Sequence, residues 1–126
     1  EEQGYMQGAD VFNFVIREIP RDIKRLAEWS GEDLQGLDYY VFHQANNFIN
    51  TYLAKKLRLD AERIPSTIAK FGNTSSVSVP LTIASELKGR MEGDRKLLLS
   101  AFGVGMTWGT AVVPFRDLRI SDLVEV

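Results

Sequence analysis

Residues 96–115 read KLLLSAFGVGMTWGTAVVPF, and the fold turns on how the glycines in the middle are interpreted. Spaced as Gly103-x-Gly105-x-x-x-Gly109 behind an aliphatic run, they superficially resemble a dinucleotide-binding loop. Such a loop has to open a helix, whereas Thr107 to Val113 is β-branched and reads as a strand. Lys96 to Phe102 and Thr107 to Phe115 are therefore two adjacent strands, joined by a tight connection in which glycine supplies positive φ. A nucleotide site is thereby disfavoured, and a hairpin closes the chain's regular structure.

Upstream of the hairpin, helical and strand signals alternate. Val11, Phe12, Val15, Ile19, Ile23, Leu26 and Ala27 recur every three or four positions, which predicts an amphipathic helix running to Trp29. Pro20 should kink or split it, and Gly31 should stop it. Leu37 to Phe42 reads as a short buried strand. Phe48, Ile49, Tyr52, Leu53 and Leu57 then share one face of a second helix, with Asn50, Thr51, Lys55 and Arg58 elsewhere. Ile64 to Phe71 reads as a strand that Pro65 restricts to an edge. Val77, Leu81, Ala84 and Leu87 mark a third helix ending before Gly89, with regular backbone bonding beginning around or after Pro80. Gly93-Asp94 is a turn. The expected architecture is α/β, in the order α-β-α-β-α-β-β, with a mixed sheet covered by helices.

Composition narrows the function. A length of 126 residues with 44% hydrophobic side chains suits one domain. Fifteen basic against seventeen acidic residues leave a net charge of -2, which gives no electrostatic reason to expect nucleic acid or an anionic membrane as partner. No apolar stretch approaches the roughly 20 residues that cross a bilayer, so a cytoplasmic protein is expected. The absence of cysteine excludes a disulfide, a thiolate metal site and a thiol nucleophile within these residues, and one histidine excludes a histidine-rich metal site. The chain opens on Glu1 rather than methionine, as a piece of a longer protein would.

Three loops follow expected strands and hold the chemistry-bearing residues: His43-Gln44-Ala45-Asn46, Gly72-Asn73-Thr74-Ser75 and Gly103-Val104-Gly105. The first two precede helices, whose exposed amides disfavour a nearby imidazolium and would keep His43 neutral. A neutral imidazole has one N–H to give, and can act as an electrophile toward a developing oxyanion. A purely structural histidine and a turn or cap asparagine account for the same residues.

Four motifs in order carry a resemblance: Met6-x-Gly8-x-x-Val11-Phe12, His43-Gln44-Ala45-Asn46, Gly72-Asn73-Thr74-Ser75, and Ala101-Phe102-Gly103-x-Gly105-x-Thr107-Trp108-Gly109. From about Met6 to about Phe115 the chain resembles the C-terminal half of the 3-oxoacyl-acyl-carrier-protein synthase III family, the thiolase-fold condensing enzymes. Residues 1–126 would then be one C-terminal domain, with the N-terminal half and its nucleophilic cysteine lying outside them.

The resemblance implies a decarboxylating condensation of an acyl thioester with a malonyl thioester, in fatty acid or related acyl-chain biosynthesis. His43 and Asn73 would be the catalytic pair, and the Val104 backbone N–H would help hold a second oxyanion. Gly8, Phe12 and Asn46 match positions lining the pantetheine tunnel. Ordinary helix packing accounts equally for Phe12, and helix capping for Asn46. Lys55 and Lys56 match a carrier-docking pair, or are a solvated face. Asn13 and Phe48 depart from the basic residues often found in relatives that dock acyl carrier protein. No cofactor is implied, because acyl carrier protein or coenzyme A brings the phosphopantetheine arm on the substrate. The implied partners are those carriers, the N-terminal half and, at full length, a second copy. These residues alone should be inactive. A non-decarboxylating acyltransferase, or a noncatalytic domain that keeps the fold for association, are the competing readings.

Overall fold

The computed structural model describes residues 8–124. Helix α1 (Gly8–Ser30) is followed by strand β1 (Tyr39–Phe42), helix α2 (Asn47–Leu57), the one-turn helix α3 (Ile68–Phe71), helix α4 (Ser78–Glu86), and the hairpin strands β2 (Asp94–Gly103) and β3 (Thr107–Arg116). The sheet order is β1-β2-β3, with β1 parallel and β3 antiparallel to β2. The hairpin is thus as the glycine pattern reads, with Phe102 opposite Trp108 and Leu98 opposite Val112.

Alternation along the strands sends side chains to two separate cores. Tyr40, Phe42, Leu98 and Val112 face α1 and α2, where they meet Val15, Ile19, Ile23, Ile49, Leu53 and Leu57. Tyr39, Val41, Leu97 and Leu99 face the other side, against Val79, Ile83, Leu87 and Met91. Each fully buried aliphatic side chain in these layers contributes about 1.5–3 kcal/mol of transfer free energy.

Helix α1 runs through Pro20 without dividing; the proline ring is buried, and its missing N–H forfeits one backbone bond of a 23-residue helix. Pro80 causes no break because it is the third residue of α4, in the first turn, where an N–H has no intrahelical partner.

Two expectations need correction. The segment Ile64–Phe71 is not a strand: its second half is α3, and its first half is irregular. Pro65 has no N–H for a ladder, the Thr67 N–H is taken by the Gln44 side chain at 3.0 Å, and the Thr67 carbonyl accepts from both Lys70 and Phe71. The backbone groups a strand would use are already committed to a turn of helix. On α2, Asn50 is buried and Phe48 is 67% exposed, the reverse of their polarity. Phe48 lies over the flank of α1, where its ring meets that of Phe12 at 5.5 Å, whereas Asn50 falls on the stripe of Leu53 and Leu57.

Candidate active site

His43 is the residue immediately after β1, and its backbone N–H still bonds to the Ser100 carbonyl of β2 at 2.8 Å. The ring is thereby carried to the C-terminal end of the parallel pair, where α/β sheets present ligand-binding residues. The imidazole is half-buried. Its Nδ1 lies 2.7 Å from the Ser78 hydroxyl at the start of α4, and its ring packs at 90° against Phe102, with centroids 5.0 Å apart. Burial lowers its pKa from the ordinary value of 6.5. Burial thus favours the neutral imidazole.

A buried polar network fixes the floor beneath it. The Ser78 hydroxyl also accepts the Gln44 N–H at 3.3 Å, and the Ser78 carbonyl accepts from the Thr82 hydroxyl at 2.8 Å. Thr82 pairs with Thr67 through their hydroxyls at 2.9 Å. The Gln44 amide donates to the Phe42 carbonyl and accepts from the Thr67 N–H and the Ser66 hydroxyl. Gln44, Thr67, Ser78 and Thr82 are all essentially excluded from solvent. Buried polar groups persist only when satisfied, and this network ties β1, α4 and the segment before α3 together.

The second loop is set by Gly72, whose φ of 65° and ψ of -153° are open to glycine and almost closed to L side chains. It ends α3 and aims the chain into Asn73. The Asn73 side-chain oxygen accepts the Ser75 N–H at 2.9 Å, a local turn that holds the amide with its nitrogen as the uncommitted end. Ser78 stands five residues beyond Asn73 on the same connection, so its bond to His43 fastens the second loop to the first.

The third loop enters from the hairpin. Phe102, which packs on His43, lies two residues before Val104. Val104 presents its side chain to solvent, 97% exposed, while its carbonyl accepts from the Thr107 hydroxyl at 2.8 Å. Gly105 has φ 137°, and a Cβ there would collide with that same hydroxyl, so the turn demands glycine.

The remaining sequence-selected residues lie on α1 and α2, and the last turn of α2 is at the far end of β1 from His43, where the Leu57 carbonyl accepts from the Gln35 side chain. Gly8 is exposed at the first position of α1, with open space around its α-carbon, and Phe12 packs on Phe48 and the α1–α2 core. Asn46 caps α2, its side-chain oxygen accepting the Ile49 N–H at 2.9 Å, and it leaves its amide nitrogen at the exposed surface. Lys55 and Lys56 are exposed in the last turn of α2, where cations are favoured by the helix dipole. Met6 lies outside the described residues. Two hollows of about 400 and 380 Å³ lie elsewhere, one at the opposite end of the sheet around Lys96 and Arg116 and one around Arg21 and Trp108; neither includes His43 or Asn73.

Ser78, Phe102 and the Thr67–Thr82 pair are the site's neighbours that residue patterns do not reveal. Only the serine-rich run after Asn73 hints that one hydroxyl has work to do.

This architecture is the thiolase-like arrangement of a mixed sheet between helical layers, as found in the condensing enzymes. Residues 27–115 match the family model for the C-terminal region of 3-oxoacyl-[acyl-carrier-protein] synthase III, and the chain belongs to that family. It is 38% identical over 111 residues to β-ketoacyl-[acyl-carrier-protein] synthase III of Streptococcus gordonii, covering 86% of this chain and 34% of that protein. It is 42% identical over 121 residues to β-ketoacyl-[acyl-carrier-protein] synthase III 2 of Streptomyces coelicolor, covering 90% and 37%. The crystal structure of a 3-oxoacyl-(acyl-carrier protein) synthase from Burkholderia xenovorans superposes with a TM-score of 0.91 at 41% identity, covering 97% of this chain and 35% of that one. The chain thus spans about a third of the length of these relatives. Among the described residues no helix is long and apolar enough to cross a membrane.

Proposed function

We propose that these residues supply the enolate-stabilising half of a decarboxylating condensing site, completed by a nucleophilic cysteine from the N-terminal half of the full-length protein. The observation that carries this reading is the way the two side chains are anchored. His43 engages Nδ1 and Asn73 engages its amide oxygen within the protein, so each has a nitrogen left to donate.

The chemistry needs such a pair. Loss of carbon dioxide from a malonyl thioester breaks the bond to the carboxylate carbon, and the electron pair becomes an enolate with its charge on the thioester oxygen. Two N–H donors directed at that oxygen stabilise it without transferring a proton, and each lowers the barrier by about 3–4 kcal/mol. A neutral His43 suits this role, and burial keeps it neutral. The enolate carbon then attacks the acyl carbonyl on the cysteine, and the Val104 N–H helps hold the resulting oxyanion until thiolate leaves. None of these steps calls for a resident cofactor. The substrates arrive as thioesters of acyl carrier protein or coenzyme A, along a tunnel entered past Gly8, Phe12 and Asn46. Lys55 and Lys56 offer charge to a carrier, while Asn13 and Phe48 make the adjoining surface neutral. At full length the protein works in the cytoplasm as a homodimer.

The test uses full-length protein. His43→Ala and Asn73→Ala should each abolish carbon dioxide release from malonyl thioester while acylation of the cysteine survives. Normal decarboxylation by either variant would refute the assignment, and acyl transfer to an alcohol or amine without carbon dioxide release would identify a different acyltransferase.

A further inference from the structure

We infer that Ser78 is a positioning residue for His43: its hydroxyl donates to Nδ1 and thereby fixes the proton of the neutral ring on Nε2. This rests on the enolate-stabilising reading above, and it names the group that makes the imidazole a donor rather than an acceptor.

The argument is a count of protons around one oxygen. Ser78 Oγ has one hydrogen to give and two lone pairs to offer. One lone pair takes the Gln44 N–H at 3.3 Å, and the other close group is His43 Nδ1 at 2.7 Å. Among the described residues Ser78 Oγ makes no other hydrogen bond. If Nδ1 carried the proton, the serine would accept twice and its own hydrogen would be buried, in a residue 1% exposed, with nothing to receive it. Leaving a buried donor unmade disfavours that arrangement by roughly tenfold or more in population. With the hydroxyl donating instead, every group is satisfied, and Nε2–H becomes the free end of the ring.

Ser78 cannot readily turn away. Its carbonyl holds Thr82, Thr82 holds Thr67, and the Thr67 N–H returns to the Gln44 side chain. The Phe102 ring, perpendicular to the imidazole, limits rotation on another side. The tautomer is therefore set by a serine 35 residues away in sequence.

The experiment is nitrogen-15 NMR of full-length protein labelled at histidine, with the His43 signals identified as those missing from His43→Ala. Wild type should show a protonated Nε2 and an unprotonated Nδ1 near pH 7. Ser78→Ala should move both signals toward values averaged between tautomers, and should lower kcat for malonyl decarboxylation roughly tenfold with KM unchanged. A protonated Nδ1 in the wild type would overturn the inference whether or not the variant folds. An unchanged tautomer and rate in Ser78→Ala would overturn it too. The spectrum is read without turnover, so a failure of the proposed function, seen as decarboxylation by His43→Ala, is distinguishable from a failure of this assignment.

Discussion

Replacing Gly72 by alanine tests whether backbone conformation, rather than any contact, positions Asn73. A Cβ at Gly72 would meet nothing within 4 Å, so the substitution introduces no collision. The whole cost is conformational: φ 65° with ψ -153° belongs to a region costing an L residue about 1–3 kcal/mol. Against this, alanine restricts the unfolded chain and returns about 0.4–1 kcal/mol. The difference leaves Gly72→Ala destabilised by about 0–2.6 kcal/mol, read from the urea midpoint of the full-length protein. Relaxation of that strain would turn residue 73 and break its bond to the Ser75 N–H, so decarboxylation should fall at least tenfold while cysteine acylation persists. D-alanine at position 72, introduced by ligation, supplies the control. Its mirror-image preference makes the same φ and ψ an ordinary extended conformation, and stability should match or exceed wild type. If the L and D residues behave alike, the conformational argument is wrong.

Two further outcomes follow from burial. The folded-state pKa of His43 is lowered, so as pH falls below 6.5 the unfolded chain binds its proton first. His43 therefore contributes a loss of stability that begins near pH 6.5 and ends at the folded-state pKa; this slope should be absent from the unfolding free energy of His43→Gln. Glu86, whose pKa is lowered chiefly by its hydrogen bond with Lys70, acts in a separate window below 4.5. Asn50 is buried with neither side-chain polar atom partnered among the described residues, so Asn50→Leu should raise stability by about 1–3 kcal/mol in thermal or urea unfolding; a lower value would mean that this amide is satisfied by water.

The hairpin was legible because glycine and β-branched residues fall where a turn and two strands need them, and α1 because its apolar residues keep helical spacing from Val11 to Ala27. Ile64–Phe71 misleads because a short apolar run looks alike as strand or helix; what decides is that Gln44, 23 residues away, takes the Thr67 N–H. The pattern also misplaces Phe48 and Asn50, since polarity alone does not say which flank of a helix another helix will cover. His43 and Asn73 stand out in sequence by residue type and loop position. Their hydrogen-bond anchors do not: Ser75 is two residues from Asn73 and looks ordinary, and Ser78 meets His43 only through the docking of α4 onto the sheet.

That docking makes His43 a reporter of folding order. Its ring is braced by residues 35 and 59 positions farther along, from a helix and a strand that must both be seated first. Helix formation near β1 alone leaves the imidazole free to spin, and any transient opening that lifts α4 releases it before the hairpin unravels. Chemical competence should therefore appear late in refolding and vanish early in unfolding, ahead of the bulk loss of secondary structure.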